Sequence, residues 1–479
     1  MTCRYDLVIL GGGTGGLVAA QIAAGIGARV ALVERDRTGG DCLWTGCVPS
    51  KSLIASATAA HRMRHADALG LPAIDPQIDF ARVMERVWGV IHTIAPQDSP
   101  EHLRAAGVEV IEADGRFTEP GRIEAGGREL RWRSAIIATG SGPLLPPIEG
   151  LADADPLTTD TVWGLRELPR RLLVLGGGPI GCELSQALAR LGAEVTVVEL
   201  ADRLLLREEP QASELVRSRL EGEGVRILVG ARATAIRQAE HGYELVLDGA
   251  HAPVEFDRAL VVTGRRPRTT NLGLEAVGVE LTEGGAVAVD ARLRTSARRI
   301  YAVGDVTGLL PFTHVAAHHA RIATPNALFA ARQKISSTVP WVTFTDPEVA
   351  RIGLTEDQAR EQWGERTQIT ERDYAALDRA LTAGEAYGFA KLVGDPRGRL
   401  VGATVCAPAG GEVIAELTAW ISRKAPISDV SRTIHAYPTL AEGPARAADR
   451  LLTERLLGSR ARKLARPALA MLRWAAALR

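Results

Sequence analysis

Two cysteines, Cys42 and Cys47, are the residues of this chain best suited to chemistry. They lie in the stretch Gly-Gly-Asp-Cys-Leu-Trp-Thr-Gly-Cys-Val-Pro-Ser-Lys, which covers residues 39–51. Two neighbouring thiols can close reversibly into a disulfide and so carry two electrons. On a regular helix a five-residue step rises about 7.5 Å and turns the side chains about 140° apart, which is too far for a disulfide. We therefore expect Cys42 on a loop or on a distorted first helical turn.

The residues around the pair favour a reactive thiolate. Gly39, Gly40 and Gly46 give the backbone its freedom, and Pro49 suits the start of the following helix. The positive end of that helix and the nearby Lys51 both favour thiolate over thiol. The reduced pair should therefore be nucleophilic.

A zinc site is the alternative use of two close cysteines. Zinc sites need further cysteine or histidine ligands at set spacings, and the sequence offers no second pair of that kind. We predict no metal site. The other cysteines (Cys3, Cys182 and Cys406) are isolated and are expected to be buried or spare thiols.

Two glycine-rich segments predict the elements that supply the pair with electrons. A strand at 7–10, a glycine-rich turn, a helix to about Gly27 and a strand at 30–33 together form a βαβ fingerprint for a dinucleotide. A second copy spans 172–199. Corresponding residues keep one constant offset: Gly11, Gly13, Gly16 and Glu34 recur as Gly176, Gly178, Gly181 and Glu199. The expected ligands are two different dinucleotides that exchange electrons. The alternative is that only one of the two domains binds a dinucleotide.

Length and composition indicate a globular protein of about three domains. The chain has 479 residues, of which 46% are hydrophobic and 24% charged, and 57 basic residues balance 57 acidic ones. No net field attracts nucleic acid, so we expect no nucleic-acid partner. The N-terminus enters a strand without signal-peptide features, and no apolar run could span a bilayer. These features predict a cytoplasmic protein.

The predicted fold is α/β, with two Rossmann-like dinucleotide-binding domains and a C-terminal α+β domain. Glycine and proline punctuation at 140–143, 265–267 and 304–305 ends apolar runs and should deliver loops to ligands. After about Pro340 we expect strands near 342–345 and 400–405 and helices near 355–363 and 412–422. Five segments are predicted. Residues 1–150 form the first dinucleotide domain with the cysteine pair, 151–270 the second dinucleotide domain, and 271–338 return to the first. Residues 339–458 form the C-terminal α+β domain, and 459–479 form a basic tail.

These motifs resemble the pyridine nucleotide-disulfide oxidoreductase family, which includes dihydrolipoamide dehydrogenase, glutathione reductase and mercuric reductase. The resemblance spans nearly the whole chain. It is most specific at residues 39–51, the second fingerprint with Glu183, 301–305, 344–348 and 435–442. It implies FAD on the first fingerprint, a nicotinamide dinucleotide on the second, and an obligate homodimer in which the C-terminal domain completes the partner's active site.

The resemblance also implies roles for single residues. Electrons would pass from NAD(P)H to FAD, then to Cys47 as the charge-transfer thiolate, then to Cys42 as the interchange thiol. Lys51 would pair with Glu183 beside the flavin, and Tyr437 and Glu442 would face the partner's Cys42. The remaining cofactor-binding residues implied, besides those of the two fingerprints, are Gly115, Thr139, Gly140, Ser141, Gly264 and Asp305.

Glu199 favours NADH over NADPH. A carboxylate at the end of the second strand accepts hydrogen bonds from a free ribose 2′-hydroxyl and repels a 2′-phosphate. Arg203 and Arg207 could approach a phosphate, which leaves NADPH as the alternative.

One position departs from the disulfide reductases of the family, which place a histidine directly before the proline and five residues ahead of the glutamate. Tyr437 stands there in this chain, and His435 would lie about 7 Å away on the same face of an extended segment. A tyrosine of pKa ~10 exchanges protons poorly at neutral pH. Mercuric reductases have a tyrosine at this point and a glycine after the glutamate, as in Glu442-Gly443.

The electron acceptor is therefore predicted to be thiol-reactive, either a metal ion or a small molecule. A mercuric-reductase-like acceptor fits Tyr437, but no cysteine follows Cys406 and no cysteine-rich N-terminal domain is present. A dihydrolipoamide-dehydrogenase-like disulfide reductase is the alternative, and a flavin redox sensor is a second one.

The tail is basic and apolar. Arg460, Arg462, Lys463, Arg466, Arg473 and Arg479 have no acidic residue among them. A frayed or self-packed terminal helix is the expected structure, and docking on an anionic membrane surface is the alternative.

Overall fold

The computed structural model describes residues 5–249, 252–456 and 459–477, so Cys3 lies outside the described residues. No helix in these three ranges is long and apolar enough to cross a membrane. The strands are β1 Tyr5–Leu10, β2 Val30–Glu34, β3 Val108–Glu112, β4 Gly115–Glu119, β5 Arg122–Ala125, β6 Arg128–Ile137, β7 Ser141–Pro143, β8 Arg171–Leu175, β9 Glu194–Val198, β10 Arg226–Leu228, β11 Ala233–Gln238, β12 Tyr243–Leu247, β13 Val254–Phe256, β14 Arg258–Val261, β15 Arg265–Pro267, β16 Ile300–Ala302, β17 Pro340–Thr343, β18 Glu348–Gly353, β19 Gln368–Asp373, β20 Phe389–Gly394 and β21 Leu400–Ala407. The α-helices are α1 Thr14–Gly25, α2 Gly40–Trp44, α3 Cys47–Arg64, α4 Phe80–Ile94, α5 Pro100–Ala105, α6 Pro179–Arg190, α7 Pro210–Gly222, α8 Thr313–Phe329, α9 Glu356–Trp363, α10 Asp378–Ala383, α11 Gly410–Ser422, α12 Ile427–Arg432, α13 Glu442–Leu456 and α14 Ser459–Ala477.

The chain divides into two compact units. The first contains residues up to Asp67, then Pro72–Arg203 and Leu220–Ser337; the second contains Ala68–Leu71, Leu204–Arg219 and the chain from Thr338 onward. Both glycine fingerprints and the cysteine pair belong to the first unit. The finer domain boundaries at residues 150, 270 and 458 stay predictions.

The first fingerprint lies in a sheet of order β3-β2-β1-β6-β5-β4, with β16 paired to β6. Strand β1 is parallel to both neighbours, and Leu7 lies opposite Val30 on one side and Ser134 on the other. Leu7 and Ile9 pack in one apolar cluster and Val8 and Leu10 in another, so both faces of β1 are covered. Coverage of both faces is the reason for the unbroken apolar run of this strand.

The second fingerprint lies in a parallel sheet of order β10-β9-β8-β14. A small antiparallel sheet, β11-β12-β13, belongs to the same part of the chain. The segments at 140–143 and 265–267 were expected to be loops. Most of their residues instead form the short strands β7 and β15, which pair with each other. The α/β prediction with two Rossmann-like domains is confirmed.

The second unit is built on an antiparallel sheet of order β17-β18-β21-β20-β19. Helices α11, α12 and α13 contribute to its core, in which Ile414, Val430 and Ala447 are buried with Leu392 and Val405 of the sheet. The α+β prediction for the C-terminal part is confirmed.

Candidate redox centre and dinucleotide sites

The two cysteines lie at the junction of two helices. Cys42 sits in the short helix α2, and Cys47 is the first residue of α3. The expectation that Cys42 lies on a loop or on the distorted first turn of the following helix is wrong, because it occupies a separate helix. Gly46 makes the break: a Cβ there would lie 2.8 Å from the carbonyl oxygen of Asp41. The break turns the second thiol back towards the first.

The two thiols are electrostatically different. The pKa of Cys47 is lowered to about 6, chiefly by a hydrogen bond from the Cys42 thiol, with desolvation opposing and Thr313 and Lys51 assisting. Thr313 Oγ1, at the start of α8, lies 3.3 Å from Cys47 Sγ. The same hydrogen bond to Cys47 and partial burial raise the pKa of Cys42. In the reduced pair, Cys47 therefore holds the negative charge at neutral pH and Cys42 holds the proton.

An ion pair joins the redox helix to the second fingerprint. Lys51 Nζ donates to Glu183 Oε2 at 2.8 Å. Lys51 lies one turn after Cys47 on α3, and Glu183 is buried in α6. The structure thus brings together the two residues that the family resemblance pairs.

The two glycine turns have the same geometry. A Cβ on Gly16 or on Gly181 would lie 1.9 Å from a carbonyl oxygen at the start of its own turn, in each case that of the first glycine. Glu34 Oε2 accepts from the Gly12 amide at 2.5 Å, and Glu199 Oε2 accepts from the Gly177 amide at 2.6 Å. Both carboxylates therefore stand at the end of the second strand, where a dinucleotide ribose is held.

A cavity of about 500 Å³ lies beside Glu34, the carboxylate that accepts from the first turn. Glu34 and Glu112 line it, together with Trp44, over whose ring the Arg37 guanidinium lies at 4.2 Å. The helix start, the close backbone packing without Cβ atoms, and this cavity fit the adenosine end of a dinucleotide such as FAD.

A polar cluster follows the first sheet, and two of its members were missed by sequence reasoning. Ser141 Oγ donates to Asp305 Oδ2 at 2.8 Å and accepts from Arg265 Nε at 2.7 Å. Arg265 also donates to Asp41, and Arg268 Nη1 lies 3.3 Å from the same carboxylate. Burial raises the pKa of Asp305. The arginines clamp the residue that precedes Cys42. The sequence signal for them was the segment 265–267, which was expected to lie near a ligand, but nothing in it indicated Asp41 as the partner.

Three further predicted residues surround this cluster. Thr139 Oγ1 donates to the carbonyl oxygen of Arg268 at 2.7 Å, and Gly140 has a φ of +68°. The Gly264 carbonyl accepts from the Leu144 amide at 3.0 Å. Gly115 lies elsewhere in the sheet, where a Cβ would lie 2.8 Å from Leu10 Cδ2.

A buried tryptophan that the sequence did not single out holds the segment between the cysteines. Trp163 Nε1 lies 2.9 Å from the carbonyl oxygen of Thr45 and 2.8 Å from that of Thr159. Thr45 lies between α2 and α3, so this contact fixes the break that lets the thiols meet. Trp44 Nε1 anchors the preceding residues by donating to the Thr38 carbonyl at 2.7 Å.

The residues near the C-terminus belong to the second unit. Tyr437 is exposed, and its hydroxyl donates to Asp378 Oδ2 at 2.8 Å, which raises the pKa of the phenol. His435 does not replace it, because both of its ring nitrogens are engaged: Nε2 lies 2.9 Å from Glu416 Oε2 and Nδ1 lies 2.9 Å from the Thr433 carbonyl oxygen. Glu442 begins α13 and is paired with Arg446 at 3.1 Å.

Gly443 has a packing reason of its own. A Cβ there would lie 2.5 Å from the hydroxyl oxygen of Tyr374, which donates to the Leu440 carbonyl at 2.9 Å. The glycine after Glu442 is thus required by the fold, whatever the electron acceptor.

The other cysteines are isolated in the described residues: Cys182 and Cys406 are buried, and burial raises the pKa of both thiols. The only thiols near each other in these ranges are Cys42 and Cys47.

The two nucleotide turns and the thiol pair define a flavin-dependent pyridine nucleotide oxidoreductase. The family profile described as pyridine nucleotide-disulphide oxidoreductase matches residues 5–320, and its dimerisation domain matches residues 339–448. The chain belongs to this family.

Relatives of two kinds are similar over most of the chain. A dihydrolipoyl dehydrogenase of Thermus scotoductus is 37% identical, covering 93% of this chain and 97% of the relative. A mercuric reductase of Streptomyces lividans is also 37% identical, covering 91% and 94%. Among solved structures, a Cu(II) complex of the HOCl-induced flavoprotein disulfide reductase RclA from Escherichia coli has a TM-score of 0.84 at 29% identity, covering 94% of this chain and 100% of that one.

The protein is accordingly an FAD-dependent oxidoreductase that uses NAD(P)H and a disulfide redox centre. The dimerisation domain supports a homodimer.

Proposed function

We propose that this enzyme uses NADH and bound FAD to reduce the Cys42–Cys47 disulfide, and that the dithiol then reduces a thiol-reactive metal ion such as Hg(II) or Cu(II). The observation that carries the proposal is Tyr437, whose hydroxyl is hydrogen-bonded to Asp378 where disulfide reductases of the family have a histidine. A relative named mercuric reductase and a neighbour solved with Cu(II) support a metal acceptor.

The proposed reaction at the thiols follows from their unequal pKa values. Cys47 enters as a thiolate, and Cys42 loses its proton when a metal ion binds between them. Two electrons then leave the sulfurs, the disulfide closes again, and either one ion takes both electrons or two ions take one each. No leaving thiolate has to be protonated in this sequence.

Reduction of a small disulfide makes a different demand. The substrate releases a thiolate that needs a proton, and in this chain the corresponding side chain is a phenol with a raised pKa. The histidine that would pair with Glu442 in those enzymes is absent from this chain. Disulfide turnover should therefore be slow.

We assign the cofactors to the two glycine turns. FAD would be held by Gly11, Gly13, Gly16, Glu34, Gly115, the 139–141 turn and Asp305. The nicotinamide dinucleotide would be held by Gly176, Gly178, Gly181, Glu199 and Gly264. Glu199 favours NADH, because its carboxylate at the end of β9 would repel a 2′-phosphate.

Dihydrolipoamide oxidation and reduction is the second candidate. The likeness to a dihydrolipoyl dehydrogenase at 37% identity over 93% of the chain favours it. This candidate requires that the enzyme turn over a disulfide with Tyr437 in place of the histidine.

Steady-state oxidation of NADH by the purified holoenzyme tests the two candidates. We expect turnover with Hg(II) held by excess thiol and with Cu(II) supplied without thiol, and slow turnover with lipoamide. Tyr437→His should raise lipoamide reduction, whereas the matched control Tyr437→Phe should not. Wild-type turnover that is fastest with lipoamide, or metal turnover that survives Cys42→Ser, would contradict the proposal.

A further inference from the structure

The C-terminal helix α14 is exposed in the part whose side chains the structure describes. Every side chain described in it, Lys463 and residues 465–477, is exposed. Of the two forms expected for the tail, a frayed or a self-packed helix, self-packing does not occur for these side chains; Leu478 and Arg479 lie outside the described residues. Leu469, Met471, Leu472 and Trp474 are 49%, 66%, 62% and 68% exposed. Large apolar side chains exposed together mark a binding surface.

The same segment has only one sign of charge. Between Ser459 and Ala477 the basic residues are Arg460, Arg462, Lys463, Arg466 and Arg473, and no acidic residue occurs among them. The whole chain, by contrast, has a formal net charge of zero. The tail concentrates positive charge that the rest of the protein does not share.

Charge and most of the large apolar groups are separated around the helix; Leu469, about 40° from Arg473, is the exception. At about 100° per residue, Arg466 and Arg473 lie within about 20° of each other, and Met471 lies about 160° from Arg473. Leu472 continues the apolar side next to Met471, and Trp474 borders it. This is the pattern of a helix that lies in an interface with its apolar side inserted.

We propose that α14 docks the enzyme on an anionic lipid surface. The arginines would face lipid headgroups, and Met471, Leu472 and Trp474 would enter the boundary of the acyl chains. The tail of a second copy is the less suitable occupant, because pairing two tails would bring like charges together. The rest of a second copy has a net charge of −5, since the whole chain is neutral and the segment 459–477 carries five basic residues, and docking there is the rival outcome that the truncation below tests. Since α14 cannot span a bilayer, it would lie on the surface.

The size of the effect follows from the charges. Each basic residue near an anionic membrane strengthens binding about fivefold. Losing the charges of Arg466 and Arg473 together should weaken vesicle binding roughly 25-fold, and raising the salt concentration should weaken wild-type binding in the same direction.

The experiment is vesicle flotation of the full-length holoenzyme with phosphatidylglycerol-containing and pure phosphatidylcholine vesicles. We expect binding to the anionic vesicles only. The variant Arg466→Gln/Arg473→Gln should lose it about 25-fold, and Leu472→Gln/Trp474→Gln should also weaken it. The matched control Arg423→Gln/Arg432→Gln removes two exposed basic side chains elsewhere in the second unit and should bind like wild type.

Three results would overturn the proposal: equal flotation with neutral vesicles, unchanged flotation of a protein ending at residue 458, or dissociation of the dimer by that truncation without any vesicle binding. NADH oxidation is measured on every variant. Because α14 contains none of the proposed redox residues, activity should not change, and failure of lipid binding is distinguishable from failure of the proposed function.

Discussion

The charge on Cys47 gives the sharpest prediction. Its pKa is lowered to about 6 from an ordinary value of 9.0, and the largest cause is the hydrogen bond from Cys42. At pH 7 a thiol of pKa about 6 is roughly 90% thiolate, whereas one of pKa about 9 is roughly 1% thiolate. The thiolate should persist above about pH 6 and disappear as the pH falls through that value.

Two substitutions separate the causes of the lowered pKa of Cys47. Cys42→Ala removes the hydrogen-bond donor and should move the midpoint of Cys47 upward, lowering its reactivity at pH 7. Lys51→Met removes a smaller electrostatic contribution and should produce a smaller upward shift. Arg62→Met, at the far end of the same helix, is the matched control and should leave the midpoint unchanged.

The assay is the rate of Cys47 alkylation by iodoacetamide in the reduced enzyme, followed by mass spectrometry of the peptide between pH 4 and pH 10. The long-wavelength absorbance of a thiolate beside oxidised flavin gives an independent midpoint in the holoenzyme. A wild-type midpoint near 9, or one that Cys42→Ala leaves in place, would refute the assignment of the negative charge to Cys47.

Further predictions concern the two glycine turns, one ion pair and one buried histidine of the first unit. Gly16→Ala should abolish flavin absorbance in the purified protein, whereas Gly181→Ala should keep the flavin and raise the KM for NADH, because each added Cβ obstructs only its own turn; equal flavin loss in both would contradict this. Arg190→Ala removes the buried guanidinium that pairs at 2.7 Å with the largely buried Glu223 side chain and should lower the free energy of unfolding by about 3–5 kcal/mol in urea titrations; a loss below about 1 kcal/mol would show that solvent screens the pair. Burial lowers the pKa of His319 to about 4, so its contribution to stability should be present above about pH 6.5 and disappear towards pH 4, by about 3 kcal/mol at most; His319→Gln should flatten that part of the pH–stability curve, and an unchanged curve would exclude His319 as its source.

Local patterns were predictable because their causes lie within a few residues. The turn from Gly11 to Gly16 needs glycine where backbone atoms approach within van der Waals distance, and that need shows in the sequence as spacing. A reactive thiolate in the pair was expected from a helix start and a lysine one turn later, which are both sequence-local. The largest cause of the lowered Cys47 pKa, the hydrogen bond from Cys42, depends on the helix break and was not.

The sequence by itself therefore determined the two nucleotide turns, the redox pair and the basic character of the tail. The tertiary structure decided the features that join distant residues: the helix break that Trp163 holds at Thr45, the clamp of Arg265 and Arg268 on Asp41, and the exposure of α14. Partners separated by more than a hundred positions leave no spacing in a single sequence, because folding alone brings them within hydrogen-bond distance. For Tyr437, the sequence shows that the histidine is missing, and the structure shows that Asp378 holds the phenol.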